Sequence, residues 1–176
     1  MLIPLFHASL EDEQNHIWQV LLTRRTDSVT EHQRQVAFPG GRADPTDLSP
    51  ESTALREAQE EIGLDPEQVR LLGRMAELRT ISNYCVTPVV GVIPRPFTIQ
   101  MEQTEVSRVF SIPLDWLADP SHHEIQYRAV PQPYSQLLHQ ETHPVIYFQI
   151  YQDELLWGVS AEITMNFINI LMSQDK

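Results

Sequence analysis

The residues best placed to do chemistry are Glu57, Glu60 and Glu61, in the stretch Arg56-Glu57-Ala58-Gln59-Glu60-Glu61-Ile62-Gly63-Leu64. At about 100° per residue, steps of three and four put these carboxylates on one helix face. Three like charges on one face repel, and more strongly when water is partly removed. A hard divalent cation neutralises such a set. Magnesium suits it best, because it prefers carboxylate oxygens, keeps several waters and also binds phosphates. On the glutamates alone a solvated acidic face is the better explanation of the pattern. Its surroundings argue otherwise: Phe38-Pro39-Gly40-Gly41 makes a tight turn, a loop over Arg42–Leu48 follows, and Gly63 stops the helix just past the acids.

Those side chains need a scaffold. Ser49 can cap the helix, Pro50 suits its first position, Glu51 favours the positive end of the dipole, and Gly63 suits a left-handed stop after Ile62. Ala54, Leu55, Ala58 and Ile62 form a neighbouring apolar face that would pack on a sheet. Strands are predicted at Trp18–Thr23, Val36–Phe38, Val69–Arg79, Tyr84–Ile93, Glu105–Ile112, Glu124–Val130 and Val145–Tyr151. A short helix follows Pro113, and Gly158–Met172 reads as an amphipathic helix through Val159, Ile163, Phe167, Ile168 and Leu171. Strands, one helix, more strands and a terminal helix predict an α/β (α+β) fold with a mixed sheet and helices on its faces. A length of 176 residues fits one domain over 1–176.

Gly41 through Leu64 resembles the Nudix box: a glycine, a loop, then R-E-x-x-E-E-x-G and an aliphatic residue. Arg56, Glu57, Glu60, Glu61, Gly63 and Leu64 match it. Where the box has a glutamate eight positions before the arginine this chain has Leu48, and Asp47 takes the acidic place in a loop one residue longer. The same lengthening occurs in the coenzyme A pyrophosphatase-like branch. Leu21-Leu22-Thr23-Arg24-Arg25 with His32 and Phe38–Gly41 resembles that branch upstream of the box. Thr87–Gly91, Val109–Leu114 and Trp157–Ala161 resemble it downstream. The chain departs from the branch at Thr30, where an arginine is usual, and at Arg34, where a glycine is usual.

The resemblance implies an α/β/α sandwich and water attack on a phosphorus of a pyrophosphate, with Mg²⁺ or its substitute Mn²⁺ as cofactor. It assigns Glu57, Glu60 and Glu61 as metal ligands, with Arg56 fixing a glutamate of the box. Glu105 is an accessory acid candidate, with Glu102 close by. Gly40 and Gly41 would let the backbone approach the metal and phosphates, and Arg24, Arg25, His32 and Arg34 are candidates to meet the substrate. Strand alternation sends at most one of Arg24 and Arg25 into the site. The implied substrate is coenzyme A or an acyl derivative, cut to adenosine 3',5'-bisphosphate and phosphopantetheine. The departures at Thr30 and Arg34 leave ADP-ribose, a dinucleotide or a nucleoside triphosphate open. A non-catalytic nucleotide sensor is disfavoured, since such domains usually lose box carboxylates.

Composition narrows the partners. A formal net charge of -12 and a pI near 4.9 argue against nucleic acid and anionic membranes, which are held by clustered Lys and Arg. A small phosphorylated substrate stays compatible if a metal reverses the local field. A homodimer is left open. The longest apolar run, Val86–Pro94, is too short to span a bilayer, and the first residues do not read as a signal peptide. A single cysteine, Cys85, suits a reducing, cytoplasmic setting and reads as a buried small hydrophobe. His122 and His123 read as loop residues without a zinc-binding set. Trp116 and Trp157 read as core.

Overall fold

In the computed structural model, residues 1–9, 16–26, 35–94 and 96–173 are described. The central element is a six-stranded mixed sheet. Its strands are β1 (Leu2–Ser9), β2 (His16–Arg25), β3 (Val36–Ala37), β4 (Arg70–Arg74), β7 (Val89–Val92) and β8 (Val106–Pro113). Spatially they run β3-β2-β1-β7-β4, with β8 on the far side of β2. Among the described strands only β1 and β7 pair in parallel, Leu2 opposite Val89 and Leu5 opposite Val92. Two further pairs stand outside this sheet: β5 (Leu78–Arg79) with β6 (Cys85–Val86), and β9 (His123–Ala129) with β10 (Thr142–Phe148).

Helix α1 (Pro50–Ile62) covers one face and α4 (Gly158–Ser173) the other, joined there by α2 (Leu114–Ala118). The sequence of α1 fixes both its ends. The Ser49 hydroxyl accepts from the Ser52 amide, the Ser52 hydroxyl accepts from the Ser49 amide, and Gly63 ends the helix at φ 73°. Ala54, Ala58 and Ile62 are fully buried against Leu2, Phe6, Leu21 and Val89. On the opposite face Ile3, Leu5, Val20, Leu22 and Ile112 meet Ala161, Ile163, Phe167 and Ile168 of α4. Val159 and Leu171, expected in that apolar stripe, are exposed instead.

Several expectations need correction. β1 was not predicted. Its run Leu2-Ile3-Pro4-Leu5-Phe6 does not alternate because both faces are buried, and Pro4 disguises it further. The strand expected over Val69–Arg79 is two, β4 and β5. The register slips between Leu71 and Gly73, and the chain then leaves the main sheet. Tyr84–Ile93 divides likewise into β6 and β7. A short helix α3 (Tyr134–Leu138) was missed. Cys85 is exposed rather than buried, its thiol donating to Glu77 Oε2 at 3.2 Å. Trp116 and Trp157 are half-buried, and His122 stacks on Trp116 with ring centres 4.3 Å apart. His123 opens β9 instead of lying in a loop. No helix among the described residues is long and apolar enough to cross a membrane.

Candidate active site

The edge formed by Arg25, Gly40 and the start of β8 faces the second half of α1, and two box carboxylates point into this corner. Glu61 is 4% exposed. Its Oε2 accepts from the Gly40 amide at 3.2 Å, and its Oε1 lies 4.0 Å from Arg25 Nη1. Burial pushes this carboxyl up to about 7; the Gly40 amide and Arg25 oppose the shift, while Glu57 and Glu105 add to it. Glu57 is also raised, first by burial, with Arg56 opposing and Glu60 and Glu105 adding. Gly41 leaves room for the Glu57 carboxylate, since a Cβ on it would overlap that group and the side chain would have to move.

Glu60 does not join them. Its side chain is 59% exposed and accepts from Arg56 Nη1 at 2.9 Å. The helix explains the difference: Glu61 is about 40° round from Glu57, but Glu60 lies about 100° from Glu61. The expected convergent trio is therefore a pair, Glu57 and Glu61, with Glu105 as the third acid in their electrostatic reach. Glu102 is committed elsewhere, to the Thr104 amide and hydroxyl at 3.1 and 2.8 Å.

Arg56 is the hub that holds the acids. Its two-point contact goes to Asp47, with Nε to Oδ1 at 3.1 Å and Nη2 to Oδ2 at 3.0 Å, rather than to a box glutamate. Nη2 also meets Glu57 Oε1 at 2.9 Å and the Arg42 carbonyl at 3.0 Å. The Thr53 hydroxyl donates to Asp47 at 2.9 Å. The Arg56 hydrogen bond holds the Asp47 carboxyl well below the usual range. Leu48, its neighbour, is 97% exposed. Asp47 thus stands as the acid of the loop, and Arg56 ties it to Glu57 and Glu60.

Alternation along β2 separates the two arginines. Arg25 faces Glu61, and its buried Nε has no hydrogen-bond partner. Arg24 is on the other face, where Nη1 pairs with the buried Glu154 at 3.2 Å and Nε donates to Ser107 at 3.1 Å. Arg108 shares Glu154 at 2.8 Å. His32, Arg34 and Thr30 lie outside the described residues. Sequence reasoning overlooked the segment after β7. The Gln100 amide donates to the Ile62 carbonyl at 2.9 Å and the Glu102 amide to the Glu61 carbonyl at 3.0 Å. Backbone bonds of this kind leave no mark on side-chain patterns.

The donors fit a divalent cation. They are all carboxylate oxygens, two are raised by burial, and the arginine facing Glu61 stands beyond hydrogen-bond distance. Among the described residues, no set of three His, Cys, Asp or Glu side chains closes a cage.

Comparison with known proteins agrees with this geometry. The NUDIX domain model matches residues 4–133, so the chain belongs to the Nudix hydrolase family and acts on a pyrophosphate bond. Members of this family generally use divalent metals. An uncharacterised Nudix hydrolase NudL of Photorhabdus laumondii is 39% identical over 145 residues, covering 82% of this chain and 72% of the relative. NudL of Yersinia pestis is 40% identical over 146 residues, covering 82% and 68%. A mutT/nudix family protein of Listeria innocua superposes with a TM-score of 0.56 at 13% identity, over 98% of this chain and 92% of that one. The Nudix hydrolase RenU of M. smegmatis does so with a TM-score of 0.52 at 21% identity, over 78% and 82%. These two structures bear on the fold alone.

Proposed function

We propose that this chain is a magnesium-dependent pyrophosphohydrolase of coenzyme A or its acyl derivatives, acting as a single domain in the cytoplasm. The observation that carries the chemistry is the adjacent pair Glu61, buried and held by the Gly40 amide, and the partly buried Glu57, held by Arg56, with Glu105 in reach. The substrate follows from the resemblance of Leu21–Arg25, the one-residue-longer box loop and the downstream motifs to the coenzyme A branch. Glu57 and Glu61, with Glu105, would hold the ion, and Glu60 would join by turning inward from Arg56. When bound, magnesium or manganese neutralises phosphate oxygens and lowers the pKa of coordinated water. The chain's own groups supply position. Arg56 fixes Glu57 and the loop through Asp47, Arg25 places a positive charge beside Glu61, and Gly40 and Gly41 let the backbone come close.

One experiment tests both levels. Purified protein is given coenzyme A, ADP-ribose, NADH and nucleoside triphosphates with and without magnesium, beside Glu61→Gln. We expect magnesium-dependent cleavage, fastest on coenzyme A, and at least a roughly hundredfold loss in the variant. Full turnover by Glu61→Gln removes that residue from the mechanism. Faster cleavage of ADP-ribose, NADH or a nucleoside triphosphate, the alternatives that the departures at Thr30 and Arg34 motivate, reassigns the substrate.

A further inference from the structure

Arg42 follows the two glycines of the carboxylate corner, and its backbone and side chain do different things. The carbonyl accepts from Arg56 Nη2, the same nitrogen that meets Glu57 Oε1. The Arg42 backbone is therefore pinned beside the reacting centre. Its side chain reaches the tip of the β5–β6 pair, where Nη2 donates to Tyr84 Oη at 2.5 Å and the guanidinium lies 5.3 Å from the ring centre. Tyr84 is 46% exposed and Arg42 is exposed as well. The turn that carries Tyr84 is braced from within: the Tyr84 amide donates to the Thr80 hydroxyl at 3.0 Å and the Thr80 amide to the Tyr84 carbonyl at 2.9 Å.

The contrast with other arginines is chemical. Arg24, Arg25, Arg56 and Arg108 each face a carboxylate, whereas the partner of Arg42 is a neutral phenol. Arg128 also meets neutral groups, Gln126 and the Tyr147 ring, but it lies on β9, outside the central sheet, and only Arg42 of these two adjoins the glycine corner. A solvent-exposed stack of this kind contributes little to stability. It does hold the guanidinium at a defined place while leaving most of its donors and its whole charge for an incoming anion. In a chain of net charge -12, a fixed cation one residue from the glycine corner favours a phosphate there.

We propose that Arg42, held ready by Tyr84, is a specificity-determining contact that takes an anionic oxygen of the substrate outside the bond being cut. The proposal rests on the pyrophosphate-cleaving activity and not on which substrate is physiological. The guanidinium would exchange the phenol for the phosphate group, with the Tyr84 ring staying beside it.

The test combines kinetics on whichever panel substrate turns over best with calorimetric titration of ADP into the magnesium-loaded protein. Arg42→Ala is expected to raise KM about tenfold with kcat within about twofold, and to weaken ADP by a similar factor, as loss of one charge-assisted contact predicts. Arg42→Lys should recover part of this, and Tyr84→Phe, which keeps the ring, should raise KM by less. Melting temperatures close to that of the parent check that the variants are folded. Unchanged KM and unchanged ADP affinity in Arg42→Ala overturn the proposal, as does a fall in kcat alone. If no panel member is cleaved the activity reading fails separately, and the ADP titration still decides. Equal affinities for ADP, or no ADP binding by the parent protein, count against Arg42.

Discussion

Glu61 combines near-complete burial with a charge that the proposed metal binding would require of it. Its carboxyl, raised from an ordinary 4.5 to about 7, is protonated in the metal-free fold over a range where the unfolded chain is already ionised. The native state then binds the extra proton, so the metal-free protein should lose stability as pH rises from about 4.5 to about 7, by up to about 3 kcal/mol. Glu57 shifts in the same direction. Glu61→Gln should flatten that slope and be the more stable protein at pH 8 in chelator. Melting curves against pH decide this, and an unchanged slope in the variant would discard the account. Arg56 makes a second prediction at this scale. Lysine cannot reproduce a planar fork shared by Asp47, Glu57 and Glu60, so Arg56→Lys should lose at least about tenfold in kcat. Parental turnover by that variant would reduce Arg56 to a surface charge. The sequence showed which acids share a helix, but the outward turn of Glu60 depends on where the helix meets the sheet.

At the level of the element, α1 was readable to the residue, because Ser49, Pro50 and Gly63 encode its ends locally. β1 was not, since a strand buried on both faces carries no alternation and Pro4 hides it. The breaks between β4 and β5 and between β6 and β7 arise where long-range pairing changes partner, which no local pattern records. The corner between loop and helix makes its own prediction. Gly41 is exposed, so Gly41→Ala should leave the melting temperature within a few degrees. The added methyl group would nonetheless displace the Glu57 carboxylate. We expect kcat to fall by about tenfold or more. A large drop in melting temperature with unchanged kcat per folded molecule would show that the glycine serves folding instead.

For the whole molecule, an acidic chain meets an acidic substrate, so the ion should link stability, affinity and pH. Because carboxylates must ionise to bind it, magnesium should raise the melting temperature more at pH 8 than at pH 6. Thermal shifts measured at both values check this; equal shifts would mean that Glu57 and Glu61 do not hold the ion. The charge balance that argued against nucleic acid was legible from composition alone, whereas the pairing of Arg24 and Arg108 with Glu154 required the fold to bring distant segments together.

The amides of Gln100 and Glu102, laced to the carbonyls of Ile62 and Glu61, make the chain after β7 a splint on the helix end that bears Glu61. Between Gln100 and Glu105 one added residue would drag the splint, and with it Glu61, out of line.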